Sequence, residues 1–165
     1  IVGIILVQAA NFSLTSLDNV RRVSQLTQKT NQFNCTTKRY SEIEINDFLN
    51  SDSYNVYDIT LMDKFGNNGI TGVVIIKKDT KSWYIDTFLL SCRIIGRTVE
   101  TAILSCLLDK AKKSSVKELI GNYIPTEKNI LVEDLFKNHN FSKKDGNWII
   151  NSKSSIGFPT WITLI

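Results

Sequence analysis

An apolar strand ends and a helical pattern begins within Leu90-Ser91-Cys92-Arg93-Ile94-Ile95-Gly96-Arg97-Thr98-Val99-Glu100. A helix start leaves backbone N–H groups without intrahelical partners and carries the positive end of the helix dipole, so such a junction can seat a phosphate or pyrophosphate. Gly96 allows a sharp turn there, and Arg93 and Arg97 add cations. Cys92 lies beside Arg93 and just ahead of this helix start, two features that favour the nucleophilic thiolate. It reads either as a reactive nucleophile or as a structural cysteine buried on a strand. Asp86 falls inside the preceding apolar strand, at period two with Tyr84, Phe88 and Leu90. A carboxylate in that setting is costly without a partner. It is either a general base with a raised pKa or a structural acid bonded to backbone, Arg93 or Arg39.

A second polar concentration, Lys29-Thr30-Asn31-Gln32-Phe33-Asn34, is rich in side-chain amides. Amides both donate and accept, so the segment either reads a hydroxylated group or fixes its own loop. His139 is the single histidine and follows the last helical stretch, a place for capping carbonyls rather than for a Ser–His or Cys–His dyad. Cys35, Cys92 and Cys106 form an odd set without a CxxC pair. That argues against a disulfide framework and a zinc site, and for a reducing cytoplasm. The net charge of +4 is mild, and its densest run, Lys110 to Lys113, sits where a helix should end. A nucleic-acid partner would call for a stronger basic face. No apolar run approaches the roughly 18 residues of a membrane span. The opening Ile1 to Val7 lacks the basic start and cleavage site of a signal peptide and reads as buried strand.

These residues need a scaffold, and 165 residues with 42% hydrophobic content suffice for one domain with a real core. Ile4 to Phe12 reads as a strand, and Ser16 as the cap of a helix from Leu17 to about Lys29. Leu17, Val20, Val23 and Leu26 form its buried stripe. Ser41 and Glu44 form a capping box that opens a second helix through Leu49. Strands follow over Tyr54–Met62, Ile70–Lys77 and Trp83–Ser91, the first two joined by Phe65-Gly66-Asn67-Asn68-Gly69. Val99, Ala102, Ile103, Cys106 and Leu107 then mark a helix from Gly96 to about Lys113, with Cys106 on its core stripe. Val116–Tyr123 is a strand, Glu127–Asn138 a helix capped by Thr126, and Asn147–Asn151 and Trp161–Ile165 are the last strands. The order β-α-α-β-β-β-α-β-α-β-β puts an antiparallel meander before a parallel β-α-β crossover.

Three antiparallel strands, an Arg-x-x-Gly-x-x loop, a helix and a parallel strand resemble the GNAT acyltransferase superfamily over essentially the whole chain. The resemblance implies an α/β GNAT fold whose mixed sheet is flanked by helices, with no metal. It implies that Ser91, Cys92, Arg93, Ile94, Ile95, Gly96, Arg97 and Thr98 cradle the pyrophosphate of coenzyme A or acetyl-CoA. The pantetheine arm would run between the strands flanking the helix. A narrower resemblance rests on three blocks: Val23 to Asn34, Asp86 to Arg97, and Pro125-Thr126-Glu127-Lys128-Asn129. They look like the C-terminal domain of FkbH-like proteins, which join a haloacid-dehalogenase-like (HAD) domain to a GNAT-like one. That family is associated with loading glyceryl units onto an acyl carrier protein, toward methoxymalonyl-type polyketide extenders.

The narrower resemblance implies phosphopantetheine as ligand, an acyl carrier protein and an HAD-like domain in the same or a neighbouring chain as partners, and no nucleic acid or membrane. It implies Asp86 and Cys92 as catalytic candidates, with Thr30, Asn31, Gln32, Phe33, Asn34 and Asn129 on the substrate side. The HAD motif Asp-x-Asp-x-Thr does not occur, so the expectation is a fragment or a stand-alone domain. Two positions depart from the GNAT pattern. Thr98 stands where Gly or Ala is usual, and its branch crowds a diphosphate. Phe136 stands where a tyrosine often serves as general acid, and a phenyl ring has no proton to give. Both departures fit a domain that docks a carrier protein without standard acetyl transfer.

Overall fold

The computed structural model describes residues 8–165. The start of the first expected strand, Ile4 to Val7, lies outside the described residues. The first half of the chain forms β1 (Gln8–Leu14), α1 (Val20–Lys29), β2 (Phe33–Asn34), α2 (Glu42–Leu49), β3 (Tyr54–Asp63), β4 (Gly66–Lys78) and β5 (Ser82–Leu90). The second half forms α3 (Val99–Lys113), β6 (Glu118–Gly121), α4 (Leu135–Asn138), β7 (Ser142–Lys144), β8 (Asn147–Asn151) and β9 (Ile162–Leu164). One sheet runs β7-β8-β6-β5-β4-β3-β1-β9, and β2 pairs additionally with β5. Neighbours are antiparallel except β5 with β6 and β1 with β9. The expected parallel pair around α3 is present.

Alternation along β3 and β4 divides the core between the two faces. Tyr57, Ile59, Leu61, Val74 and Ile76 face α3, while Val56, Val73 and Ile75 face α1 and α2. α1 supplies Val20, Val23 and Leu26, and the Ser41–Glu44 capping box opens α2 as the sequence reads. α3 buries Val99, Ala102, Ile103, Leu104, Leu107, Leu108 and Ala111. Each fully buried leucine stabilises by about 1.5–3 kcal/mol relative to exposure. Cys106 is displaced from that stripe to its half-buried flank, with Leu104 in the core instead.

Four local expectations need correction. The β3–β4 turn is Lys64-Phe65, because the Asp63 carboxylate accepts from the Phe65 amide at 2.8 Å. Asn67 to Gly69 becomes a register irregularity inside β4. The helix expected over Glu127–Asn138 shrinks to a single turn at Ile130–Val132 and α4. Thr126 makes the bonds of a cap, its hydroxyl accepting from the amides of Lys128 and Asn129, but no continuous helix follows it. A β7–β8 hairpin appears around Asp145 (φ 49°) and Gly146 (φ 83°), the positive-φ pair of a tight hairpin turn. Leu17 lies in a 3₁₀ turn and is exposed rather than on the buried stripe of α1.

A fifth correction concerns β5. Ile75 pairs with Thr87 and Ile76 with Ile85, so Asp86 is an extra residue, a β-bulge. The bulge shifts the alternation: Trp83 and Ile85 face α3 before it, Phe88 and Leu90 after it. Asp86 and Tyr84 therefore do not share a face with Phe88 and Leu90.

Beside this bend, Gly121 in β6 supports the ring of Phe136, which is fully buried. A Cβ at position 121 would come within 2.5 Å of Phe136 Cζ. Gly121→Ala should destabilise the domain by about 1–3 kcal/mol, an overpacking cost. Urea unfolding checks this, and Phe136→Leu in the same chain should restore part of the loss.

Candidate functional site

The site grows from the divergence of two parallel strands. β5 and β6 pair only from Ser82↔Glu118 to Ile85↔Gly121. Beyond the Asp86 bulge they separate, and their facing backbone groups require new partners. Residues 33–36 supply them. Phe33 and Asn34 pair with Leu90 and Leu89, and the Cys35 amide donates to the Phe88 carbonyl at 3.0 Å. The Thr36 hydroxyl donates to the Asp86 carbonyl at 2.8 Å. On the other side, the Ile124 amide donates to the Cys35 carbonyl at 2.9 Å. The gap is thus closed by the chain itself.

Asn129 locks this closure. Its Nδ2 donates to the Asn34 and Ile124 carbonyls, each at 2.9 Å, and its Oδ1 accepts from the Thr126 amide at 2.7 Å. Asn34 is equally occupied, donating to the Thr30 carbonyl and accepting from the Thr37 amide. Both residues are 0% exposed. Phe33 is buried edge-on against Phe88. Of the six residues expected on the substrate side, these three are therefore internal, and only Thr30, Asn31 and Gln32 reach a surface. The amides that look like recognition groups in sequence hold backbone instead.

Asp86 is engaged on both oxygens. Lys38 Nζ lies 2.5 Å from Oδ1, and the Tyr40 hydroxyl donates to Oδ2 at 2.7 Å. The Thr87 hydroxyl adds a bond at 3.1 Å. Its partners are thus Lys38 and Tyr40, in place of Arg93 or Arg39. Arg39 instead donates to the Thr27 carbonyl and to Asn31 Oδ1. Burial, and then the adjacent Asp86, push the Tyr40 phenol far above its usual pKa, so it remains a donor. This cluster pins residues 38–40 onto β5.

The cradle loop follows. Cys92–Ile94 form a 3₁₀ turn, Gly96 has φ 80°, and α3 begins only at Val99. Cys92 therefore does not sit directly before the helix. It is exposed, which removes the reading of a buried structural cysteine. Arg97 is committed to Asp63, Nη1 to Oδ2 at 2.6 Å. Thr98 caps α3 from the left-handed region at φ 59°, where a β-branched residue is strained. Its Oγ1 accepts from Trp161 Nε1 at 2.7 Å, tying the C-terminal return to the cradle. Among the described residues, the amides of residues 95–100 meet no acceptor. His139 bonds the Leu135 carbonyl and the Thr101 hydroxyl, the capping role read from sequence. Phe136 has no access to any surface site.

Beside the cradle, an open groove of about 560 Å³ runs from the end of α1 to the turn after β5. Leu26, Phe33, Leu90 and Ile95 give it an apolar floor; Arg22, Lys29 and Arg93 are its cations, and Cys92 borders it. Among the described residues, no group of His, Cys, Asp and Glu is arranged to hold a metal ion.

Solved structures overlay this architecture. Ard1 from Thermoplasma volcanium is 13% identical with TM-score 0.63, covering 85% of this chain and 94% of its own. The ribosomal-protein-S18-alanine N-acetyltransferase from Escherichia coli is 12% identical with TM-score 0.64, covering 88% and 96%. The spermidine N-acetyltransferase from Vibrio cholerae, in complex with CoA and spermine, is 10% identical with TM-score 0.66, covering 87% and 95%. The fold is the GNAT fold. No family model and no curated protein matches the chain. Within the GNAT fold, free amides over residues 95–100 fit the phosphates of a coenzyme A-type ligand. The path that the resemblance implies for the arm, between β5 and β6, does not fit, because residues 33–36 fill it.

Two outcomes test this site. Arg97, and then the Phe65 amide, hold the Asp63 carboxyl below the usual carboxylate range. A lowered folded-state pKa contributes stability above the unfolded value of about 3.9, lost as pH falls through the folded one. Asp63→Asn should therefore destabilise the domain at pH 7, and its difference from the parent should vanish in acid; denaturant midpoints across pH measure this. Burial pushes the Cys35 and Cys106 thiols up, while Cys92 is open to solvent. Competitive alkylation at neutral pH, read by peptide mass, should label Cys92 about tenfold faster or more, each pKa unit being tenfold in thiolate.

Proposed function

We propose that the chain is an acyltransferase-like domain that binds phosphopantetheine, from coenzyme A or from an acyl carrier protein, and serves FkbH-like loading of glyceryl units. Its partners in this reading are the carrier protein and an HAD-like domain in the same or a neighbouring chain, in a reducing, cytoplasmic setting. One observation carries it. The three blocks of FkbH resemblance, far apart in sequence, meet at one place: Asn34 of the first pairs with β5 of the second and accepts from Asn129 of the third. Their junction borders both the cradle and the groove. Support also comes from the fold, one of whose representatives was solved with CoA.

In this reading Arg93 and the amides of residues 95–100 hold the phosphate. Cys92 is the acyl acceptor: its thiolate attacks the thioester carbonyl and expels the carrier thiolate, so one thioester replaces another. The buried Phe136 and the doubly engaged Asp86 favour the second reading, a docking module that positions the carrier without proton transfer of its own.

Titration with coenzyme A and with holo carrier protein, followed by backbone amide shifts, tests the binding. Shifts should concentrate on residues 93–100; none at millimolar ligand would refute the assignment. Thr98→Gly removes the branch and its strain, on the order of 1 kcal/mol, and should tighten coenzyme A binding about fivefold. Transfer of an acyl group from acyl-carrier thioester to Cys92 separates the two readings, since a docking module leaves the carrier thioester intact.

A further inference from the structure

We infer that the groove between the end of α1 and the turn after β5 is the docking surface for the carrier protein's own chain, taking the acidic segment that flanks its phosphopantetheine-bearing serine. The inference rests on the phosphopantetheine reading above and names what lies outside the cradle in it. Residues 19–41 and 87–99 are two stretches of sequence without an aspartate or a glutamate. The fold brings them together, since the groove is lined from residues 22–33 of the first and 90–95 of the second. Arg22, Leu26 and Lys29 recur at i, i+4 and i+7 and so form one stripe of α1 along it. Lys29 and Arg93 have no ion-pair partner among the described residues, and Arg22 makes only a 3.4 Å bond to the Ile70 carbonyl. The nearby acids Asp63 and Asp86 are engaged by Arg97 and Lys38. The groove is therefore positive and unopposed.

Burial decides which chemistry such a groove reads. Leu26 and Phe33 are 5% exposed and Leu90 0%, so the floor offers little apolar area. Lys29 and Arg93, by contrast, are exposed. An acyl chain would gain little here, whereas carboxylates spaced along a chain meet three cations, a complementarity that speeds encounter and fixes register. Position supplies the source of those carboxylates. In a carrier protein the phosphate of phosphopantetheine is esterified to a serine. Phosphate on Arg93 and the amides of residues 95–100 thus holds that serine within a few bonds of the groove's mouth at Ser91 to Arg93. The chain on one side of the serine then runs over the groove. Free coenzyme A brings no such segment, so this surface favours the carrier-bound arm.

The test titrates the full chain with an acidic acyl carrier protein in apo and holo forms, with coenzyme A and with 4′-phosphopantetheine, followed by backbone amide shifts. The apo carrier, which lacks the phosphate, should shift residues 22–33 and spare residues 96–100. The holo carrier should shift both sets, and phosphopantetheine only residues 93–100. Lys29→Glu should weaken both carrier forms about fivefold or more, chiefly through slower association, and leave phosphopantetheine binding and the thermal midpoint unchanged. Arg21→Glu makes the same charge change on an exposed position roughly 100° round the same helix, and should weaken the carrier by less than about twofold. Changing the acids beside the carrier's serine to amides should reproduce the Lys29→Glu loss in the parent and add little in that variant. Equal losses from Arg21→Glu and Lys29→Glu would mean diffuse attraction without a docking groove. Coenzyme A weakened by Lys29→Glu with phosphopantetheine unaffected would put nucleotide phosphates there instead. Either result, or no shift from the apo carrier at millimolar concentration, overturns the inference and leaves the phosphopantetheine reading standing. No shift on residues 93–100 from holo carrier, coenzyme A or phosphopantetheine removes both.

Discussion

Two parallel strands that diverge must have their backbone groups satisfied by something, and this domain answers with its own chain. The Asp86 bulge bends β5 away from β6 after Ile85, and residues 33–36 enter the opening as a short strand bonded on both sides. Everything near the site hangs on that insertion. It fixes the connector between α1 and α2, orients Phe33 against Phe88, and joins residues 122–129 to β5 through Asn129. A buried amide with every group satisfied specifies one arrangement strongly, because any alternative leaves a donor or acceptor unmet. Asn129 is therefore a structural keystone for three segments that share no local sequence.

Charge follows the same logic. Asp86 holds Lys38, and Asp63 holds Arg97, each acid largely shielded by the fold around it. Those two pairs anchor the loop before α2 and the cradle before α3. Among the cations without an ion-pair partner, Arg22, Lys29 and Arg93 line one groove in which no acidic residue appears. A mild overall charge of +4 gives no hint of this, since net charge averages paired and unpaired residues alike.

The meander, the crossover and most helices are legible in sequence because they rest on local signals: β-branched runs, the Ser41–Glu44 box and the apolar spacing of α3. What the sequence hides comes from long-range competition. A bulge costs no special residue, so the loss of alternation at Asp86 has no signature, and Tyr84 and Phe88 seem to share a face. The strand at Phe33–Asn34 is only two residues long and exists because β5 and β6 part, a fact set about 50 residues away. Thr126 and Asn129 resemble a helix start until Asn129 is claimed by Asn34. The β7–β8 hairpin, by contrast, was available in Asp145-Gly146, a positive-φ pair between polar residues.

The site residues divide along the same line. Ser91 to Thr98 is legible as a loop between a strand and a helix, because that depends only on where the two end, whereas which of its amides lack acceptors, those from Ile95 on, depends on the 3₁₀ turn at Cys92–Ile94. The amide-rich segment keeps two readings open in sequence because Asn34, buried, and Gln32, exposed, carry the same kind of group at neighbouring positions. Their difference lies in what each side chain meets. Closure of the inter-strand gap draws residues 30–33 toward Leu90 and Cys92 and so builds one wall of the groove beside the cradle. The insertion that fills the gap and the wall of that groove are one structural event, so a change in either must move both.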